Sequence, residues 1–219
     1  MSIRVIITGA TGMVGEGVMH ECLNHPEVEQ VLIVNRRPSG FTHPKLKEIV
    51  HEFNDLSPIG DQFKSYDACY FCLGVSSVGL KEEKYFALTY TLTINAAKVM
   101  CAANSNMVFC YISGANTDST EKGKSMWARV KGKTENDLMK LPFRKVYAFR
   151  PGYMQPTPGL KNANKLYFLF SWLYPVWRRA FPKFVTTLAE LGLAMINVVL
   201  KGYSKTVIEV ADIKILAKM

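Results

Sequence analysis

The sequence predicts an α/β fold, a doubly wound parallel sheet with helices on both faces and a small helical cap toward the C-terminal end. Three observations carry that expectation. Short apolar runs rich in Val and Ile alternate with longer stretches whose apolar residues recur every three or four positions, the pattern of βαβ units. A glycine turn, Thr8-Gly9-Ala10-Thr11-Gly12-Met13-Val14-Gly15, joins the first run to the first stretch. The 219 residues, 48% hydrophobic and 21% charged, match an ordinary folded domain and not a disordered or disulfide-stapled chain.

The elements follow in order. Strands are expected near 3–8, 30–35, 48–53, 68–73, 107–112, 145–150 and 206–210, where β-branched and aromatic residues cluster. Helices are expected near 13–25, 81–104, 123–140 and 186–201, on their three-and-four spacing. In the last of these, Thr186 and Thr187 stand at the start and Glu190 in the early turns, as at a helix N-terminus. From Arg150 to Gly159, three prolines and two glycines forbid regular structure. Sheet-building is expected to end largely there, so the chain reads as 1–155 plus a cap, 156–219, with a returning helix and strand, in one compact unit.

Charge and cysteine usage narrow the class. Lys and Arg number 27 against 18 Asp and Glu, a net charge of +9. Residues 156–219 hold nine of the cations and three of the acids, hence two thirds of the excess. That balance fits a solvated basic face, or attraction to phosphate-bearing cofactors or anionic lipid; without a recognised nucleic-acid module, no nucleic-acid partner is expected. Cys22, Cys69, Cys72, Cys101 and Cys110 form an odd set, four of them in or beside apolar runs, and point to a reducing cytosol. Cys69 and Cys72 have half the spacing of a zinc site with no second pair, so no metal is expected. The N-terminus lacks the pattern of a signal peptide, and no uncharged apolar stretch reaches the roughly 18 residues of a bilayer span.

The glycine turn carries the first chemistry. Gly9 permits a tight turn, Gly12 lets the backbone approach a pyrophosphate, and Gly15 lets the helix pack on the strand. Thr11, Met13 and Val14 lie along the same turn, whose helix N-terminus offers unpaired N–H groups to an anion. The second strand ends in Asn35-Arg36-Arg37-Pro38. An NAD-preferring site carries an acid here for the ribose 2′-OH, whereas two guanidiniums suit the 2′-phosphate of NADP. After the third strand, Asp55 and Leu56 are candidates for the adenine side, Asp55 either accepting from its amino group or capping the next helix. After the fourth, the backbone of Leu73 and Gly74 lies along the adenosine.

In this order the motifs resemble the short-chain dehydrogenase/reductase superfamily, in its atypical branch of Tat-interacting-protein-like oxidoreductases and NAD(P)-binding epimerase-like proteins. The resemblance rests on the glycine turn, Asn35-Arg36-Arg37, Tyr70-Phe71-Cys72-Leu73-Gly74, Ser113-Gly114-Ala115, Val130-Lys131-Gly132-Lys133-Thr134-Glu135 and Phe149-Arg150-Pro151-Gly152. It spans residues 3–155 and implies a Rossmann-type fold. It also implies that Ser113 polarises a substrate carbonyl and that Lys131 holds the nicotinamide ribose. The family's Tyr-x-x-x-Lys pair falls on Trp127 and Lys131, and indole has no accessible pKa with which to hand over a proton. Tyr153 is then the first candidate donor, or else a ring packed beneath the cap. Lys131 also reads as part of a solvated cationic helix face.

Leu166 to Trp177 is a twelve-residue aromatic run flanked by Lys161, Lys165, Arg178, Arg179 and Lys183. It suits an apolar substrate pocket, a buried contact with a second copy, or an interfacial anchor on an anionic membrane. Two functions follow as expectations: a cytoplasmic NADP(H)-dependent oxidoreductase or epimerase-like enzyme acting on an apolar carbonyl compound, or an NADP(H)-responsive regulator or scaffold without turnover.

Overall fold

A computed structural model describes residues 2–162 and 174–219. Its strands are β1 (Ile3–Thr8), β2 (Val28–Asn35), β3 (Leu46–Val50), β4 (Ala68–Phe71), β5 (Val108–Ile112), β6 (Lys145–Arg150), β7 (Tyr153–Gln155), β8 (Val185–Thr187) and β9 (Val207–Glu209). Seven of them build one parallel sheet in the order β3-β2-β1-β4-β5-β6-β9, and β7 pairs with β8 in a second, two-stranded one. The order reverses between β1 and β4. Chains leaving those two strands diverge, which opens a crevice at their carboxyl ends.

The helices are α1 (Met13–Asn24), α2 (Glu82–Ala103, with a π turn at Ala87–Thr91), α3 (Met126–Leu138), α4 (Tyr174–Ala180), α5 (Leu188–Lys201) and α6 (Val210–Leu216). Alternation along β1 sorts its side chains between two cores. Val5 and Ile7 pack with Val18 and Met19 of α1 and with Leu188, Leu191 and Met195 of α5. Ile6 packs on the other face with Phe71, Phe109 and the α2 residues Ile94, Ala97 and Met100. By length and composition α2 is apolar enough to cross a bilayer; its packing on the sheet accounts for that apolarity.

The expected α/β order is present, with instructive differences. β3 ends at Val50, which frees residues 51–53 to the loop above the crevice. The proline-rich stretch contains a strand after all: β7 lies between Pro151 and Pro156, where every residue keeps its N–H. Seven-residue α6 was too short to show a period, and a 3-10 segment, Ser57–Phe63, begins at a proline-containing turn. α5 starts as expected from its sequence: the Thr187 hydroxyl accepts from Glu190 N at 2.9 Å, and the Glu190 carboxylate accepts from Thr187 N at 2.9 Å. Most of the aromatic run, residues 166–173, lies outside the described residues.

Candidate dinucleotide site

The glycine turn sits at the crevice. Gly9 has φ +73°, and a Cβ there would stand 2.9 Å from Leu73 Cα, so the ends of β1 and β4 meet backbone to backbone. Gly12 N donates to Gly9 O at 2.9 Å, closing the turn. Gly12 caps α1 without a side-chain hydrogen bond, which leaves the first-turn N–H groups available to an anion. In front lies a cavity of about 500 Å³, walled by Gly9, Thr11, Val34, Asn35, Arg36, Arg37, Pro38, Glu52, Phe53 and Leu73. Arg36 and Arg37 are exposed at its mouth, and neither enters an ion pair among the described residues. Asn35 is buried, donates to Glu48 Oε1 at 3.0 Å and leaves its Oδ1 without a partner. Ser39 N donates to the same Glu48 oxygen at 2.8 Å, which pins both ends of the arginine loop to β3.

A second hollow, about 110 Å³, shares Arg36, Glu52, Phe53 and Leu73 with the first and adds Gly74, Val75, Leu88 and Leu92. Of the two alternatives for Asp55, the cap is the one observed. Asp55 caps the following turn, accepting from Ser57 N at 2.8 Å, and that bond holds its carboxyl below the usual range. With Leu56, which is 1% exposed, it lines an adjoining hollow that shares Phe53 with the cavity and is bordered by Asn95 and Lys98. The acid at the cavity wall is Glu52. Its signal in the sequence was its place directly after the third strand, hidden by extending that strand to 53. Met13 and Val14 are half-buried and pack against the core.

Ser113, Trp127 and Lys131 come together at the carboxyl end of β5. Lys131, on α3, donates through Nζ to Ser113 O. Burial lowers its ammonium to about 8, against an upward pull from Glu135. The Ser113 hydroxyl is 5% exposed and donates to Phe149 O at 3.1 Å, so in this arrangement it offers lone pairs and not its proton. A Cβ on Gly114 would stand 4.0 Å from the Trp127 ring. Tyr153 lies apart. It donates to Gln155 Oε1 at 3.0 Å, meets the Trp177 ring edge-on at 5.4 Å, and lines an apolar hollow with Phe181, Phe184 and Val185. None of the three expected catalytic side chains borders the 500 Å³ cavity. Among the described residues, no group of three or more His, Cys, Asp or Glu is placed to hold a metal ion.

Residues 5–126 match the model of the NAD dependent epimerase/dehydratase family. The chain is 25% identical over 157 residues to Protein FMP52, mitochondrial, of Meyerozyma guilliermondii, across 69% of this chain and 65% of that protein. It is 23% identical over 171 residues to Protein HTATIP2 of Rattus norvegicus, across 74% of this chain and 69% of that one. In fold it is similar to the Bordetella bronchiseptica enzyme WbmG in complex with NAD (TM-score 0.69, 14% identity, 100% of this chain and 78% of that one). It is similar also to a Burkholderia cenocepacia short chain dehydrogenase in complex with NADP (TM-score 0.68, 11% identity, 94% and 87%). The cytoplasmic placement expected from the thiols is corrected by the fungal relatives, which are named as mitochondrial. Free thiols select a reducing compartment and do not distinguish one such compartment from another.

Proposed function

Because the chain belongs to the NAD dependent epimerase/dehydratase family, we propose that it is an NADP(H)-dependent oxidoreductase acting on an apolar carbonyl compound. One observation carries the reading: a single cavity joins the glycine turn to two guanidiniums that enter no ion pair among the described residues, with Asn35 where an acid would meet a ribose 2′-OH. When bound, the dinucleotide supplies hydride exchange. The chain's own part is to hold the pyrophosphate at the N-terminus of α1, the 2′-phosphate between Arg36 and Arg37, and the adenine in the hollow of Phe53 and Leu73. There Glu52, in place of Asp55, accepts from the amino group. Lys131 binds the nicotinamide ribose and Ser113 orients the carbonyl once its hydroxyl turns from Phe149 O to donate to it, while Tyr153 and its aromatic neighbours give the substrate an apolar wall.

Calorimetric titration with NADPH and NADH tests this. NADPH should bind the more tightly, and Arg36→Ala with Arg37→Ala should cost it about 3 kcal/mol, two orders of magnitude in Kd. NADH affinity should change by less than about threefold, since it lacks the 2′-phosphate. Equal affinities in the unsubstituted protein would overturn the NADP assignment.

Lys131 gives a pH signature. A ligand that prefers the ammonium form binds less tightly as pH rises through the free-protein value of about 8. NADPH affinity should therefore fall above that pH, and the fall should vanish in Lys131→Met. A slope that survives the substitution would remove Lys131 from the cofactor site.

Trp127 favours a second reading, an NADP(H)-responsive binding protein without turnover, because indole cannot donate the proton an alkoxide needs. Optical measurement of NADPH consumption across a panel of apolar aldehydes and ketones separates the two. Tight binding with no consumption selects the second.

A further inference from the structure

The outer face of the cap belongs to no part of the dinucleotide site. Within nine residues, Val176, Phe181 and Phe184 stand 61%, 58% and 52% exposed. The two phenylalanines form one rim of the apolar hollow, about 270 Å³, that Tyr153 and Trp177 floor. Arg179 and Lys183 are exposed on the same stretch. α6 brings more positive charge: Lys214 Nζ donates to Pro182 O at 2.6 Å. Burial lowers the Lys214 ammonium; Glu190 pulls it up, and the nearby charges of Arg178 and Lys218 lower it further. Glu190 on this face is paired with Arg178 at 2.6 Å.

Exposed aromatic and branched apolar side chains ringed by cations match one kind of surface. At a bilayer interface, rings settle at headgroup level and Lys or Arg meet lipid phosphates. A second copy of the chain is a poor occupant. A two-fold contact sets the same patch against itself, and would press Arg179, Lys183 and Lys218 against their own images. We infer that this face docks the protein on an anionic lipid surface, with Val176 and Phe181 entering the interface and Arg179, Lys183 and Lys218 meeting phosphates. Docked this way, the hollow beside Tyr153 opens toward the lipid.

Sedimentation with vesicles tests the assignment. With an equal mixture of phosphatidylcholine and phosphatidylserine the full chain should pellet at low salt, and high salt should release most of it by screening. Pure phosphatidylcholine should retain little. Each basic residue near such a surface is worth roughly a fivefold factor, so Arg179→Glu with Lys183→Glu should lower partitioning at least about 25-fold. Val176→Ser with Phe181→Ser should also weaken it while keeping the salt response. Lys47→Glu with Lys64→Glu makes the same charge change at exposed sites elsewhere and should pellet nearly as the unsubstituted protein does. Thermal unfolding of each variant shows that it is folded. No pelleting, equal pelleting on neutral vesicles, or an equal loss in the Lys47 and Lys64 variant overturns the proposal. So does self-association that the Val176 and Phe181 variant abolishes without any vesicle binding, which would assign the face to a second copy.

Discussion

Gly15→Ala should destabilise the protein by at least about 3 kcal/mol and lower dinucleotide affinity by about two orders of magnitude. A Cβ at Gly15 would stand 2.2 Å from Gly9 O, 2.5 Å from Gly9 C and 2.9 Å from Ala10 N. All three atoms are backbone, so no side-chain rotation relieves the clash; α1 must lift from the turn. Lifting it separates the helix N-terminus from the cavity it serves, which couples the stability loss to the binding loss. Gly12→Ala distinguishes packing from binding. Its Cβ would stand 3.4 Å from Gly9 O, an ordinary contact, so the melting temperature should move little. NADPH affinity should still fall, because the methyl occupies the side from which a pyrophosphate approaches. Thermal unfolding and calorimetry on the pair check both statements. A Gly15→Ala protein with unchanged melting temperature would mean that the turn yields more easily than its geometry implies.

Arg150→Met should cost about 3–5 kcal/mol, a large part of a typical domain's stability. Arg150, with 11% of its side chain exposed, donates through Nε to Glu135 Oε1 at 3.0 Å and through a second nitrogen to Oε2; Glu135 is 1% exposed. Burial alone would lower the guanidinium, and its bonds to Glu135 and Glu209 outweigh that, so the cation is held more firmly than usual. The pair ties α3 to β6, and Glu209 at 3.4 Å extends it to β9. Removing the arginine leaves the buried Glu135 carboxylate without its guanidinium partner. Adding Glu135→Gln to Arg150→Met should restore most of the loss at neutral pH, since no charge is then stranded. Denaturant unfolding of both variants at neutral pH checks the two statements. A single variant as stable as the double would show that Glu135 finds another partner.

The part of the site legible in the sequence is the part built from neighbours in the chain. Strand β1, the glycine turn and α1 are governed by period-two burial, by turn sterics and by the demand of a helix N-terminus, all of which act within about fifteen residues. Arg36 and Arg37 were legible for the same reason: they end a strand whose register is fixed by its own apolar run. Residues whose place depends on where a strand stops were not. A third strand read three residues too long encloses Glu52, whereas in the fold β3 stops at Val50 and Asp55 caps the turn that follows.

By itself, then, the sequence determined the α/β class, the order of the strands along the chain and the anion-binding turn, because local sterics and side-chain periodicity suffice for each. Tertiary structure decided which loop residues face the cavity, that the Ser113 hydroxyl is given to Phe149 O across β5 and β6, and that Tyr153 stands with the cap's aromatic residues. It also decided that Glu16, fully buried on α1, accepts the backbone N–H groups of Lys161 and Asn162 at 2.7 Å each, and so fastens the start of the cap to the core. Those partners lie 145 and 146 residues away in the chain. No local preference encodes such a contact: a buried carboxylate takes whichever unpaired N–H groups the packed helices and strands bring within reach.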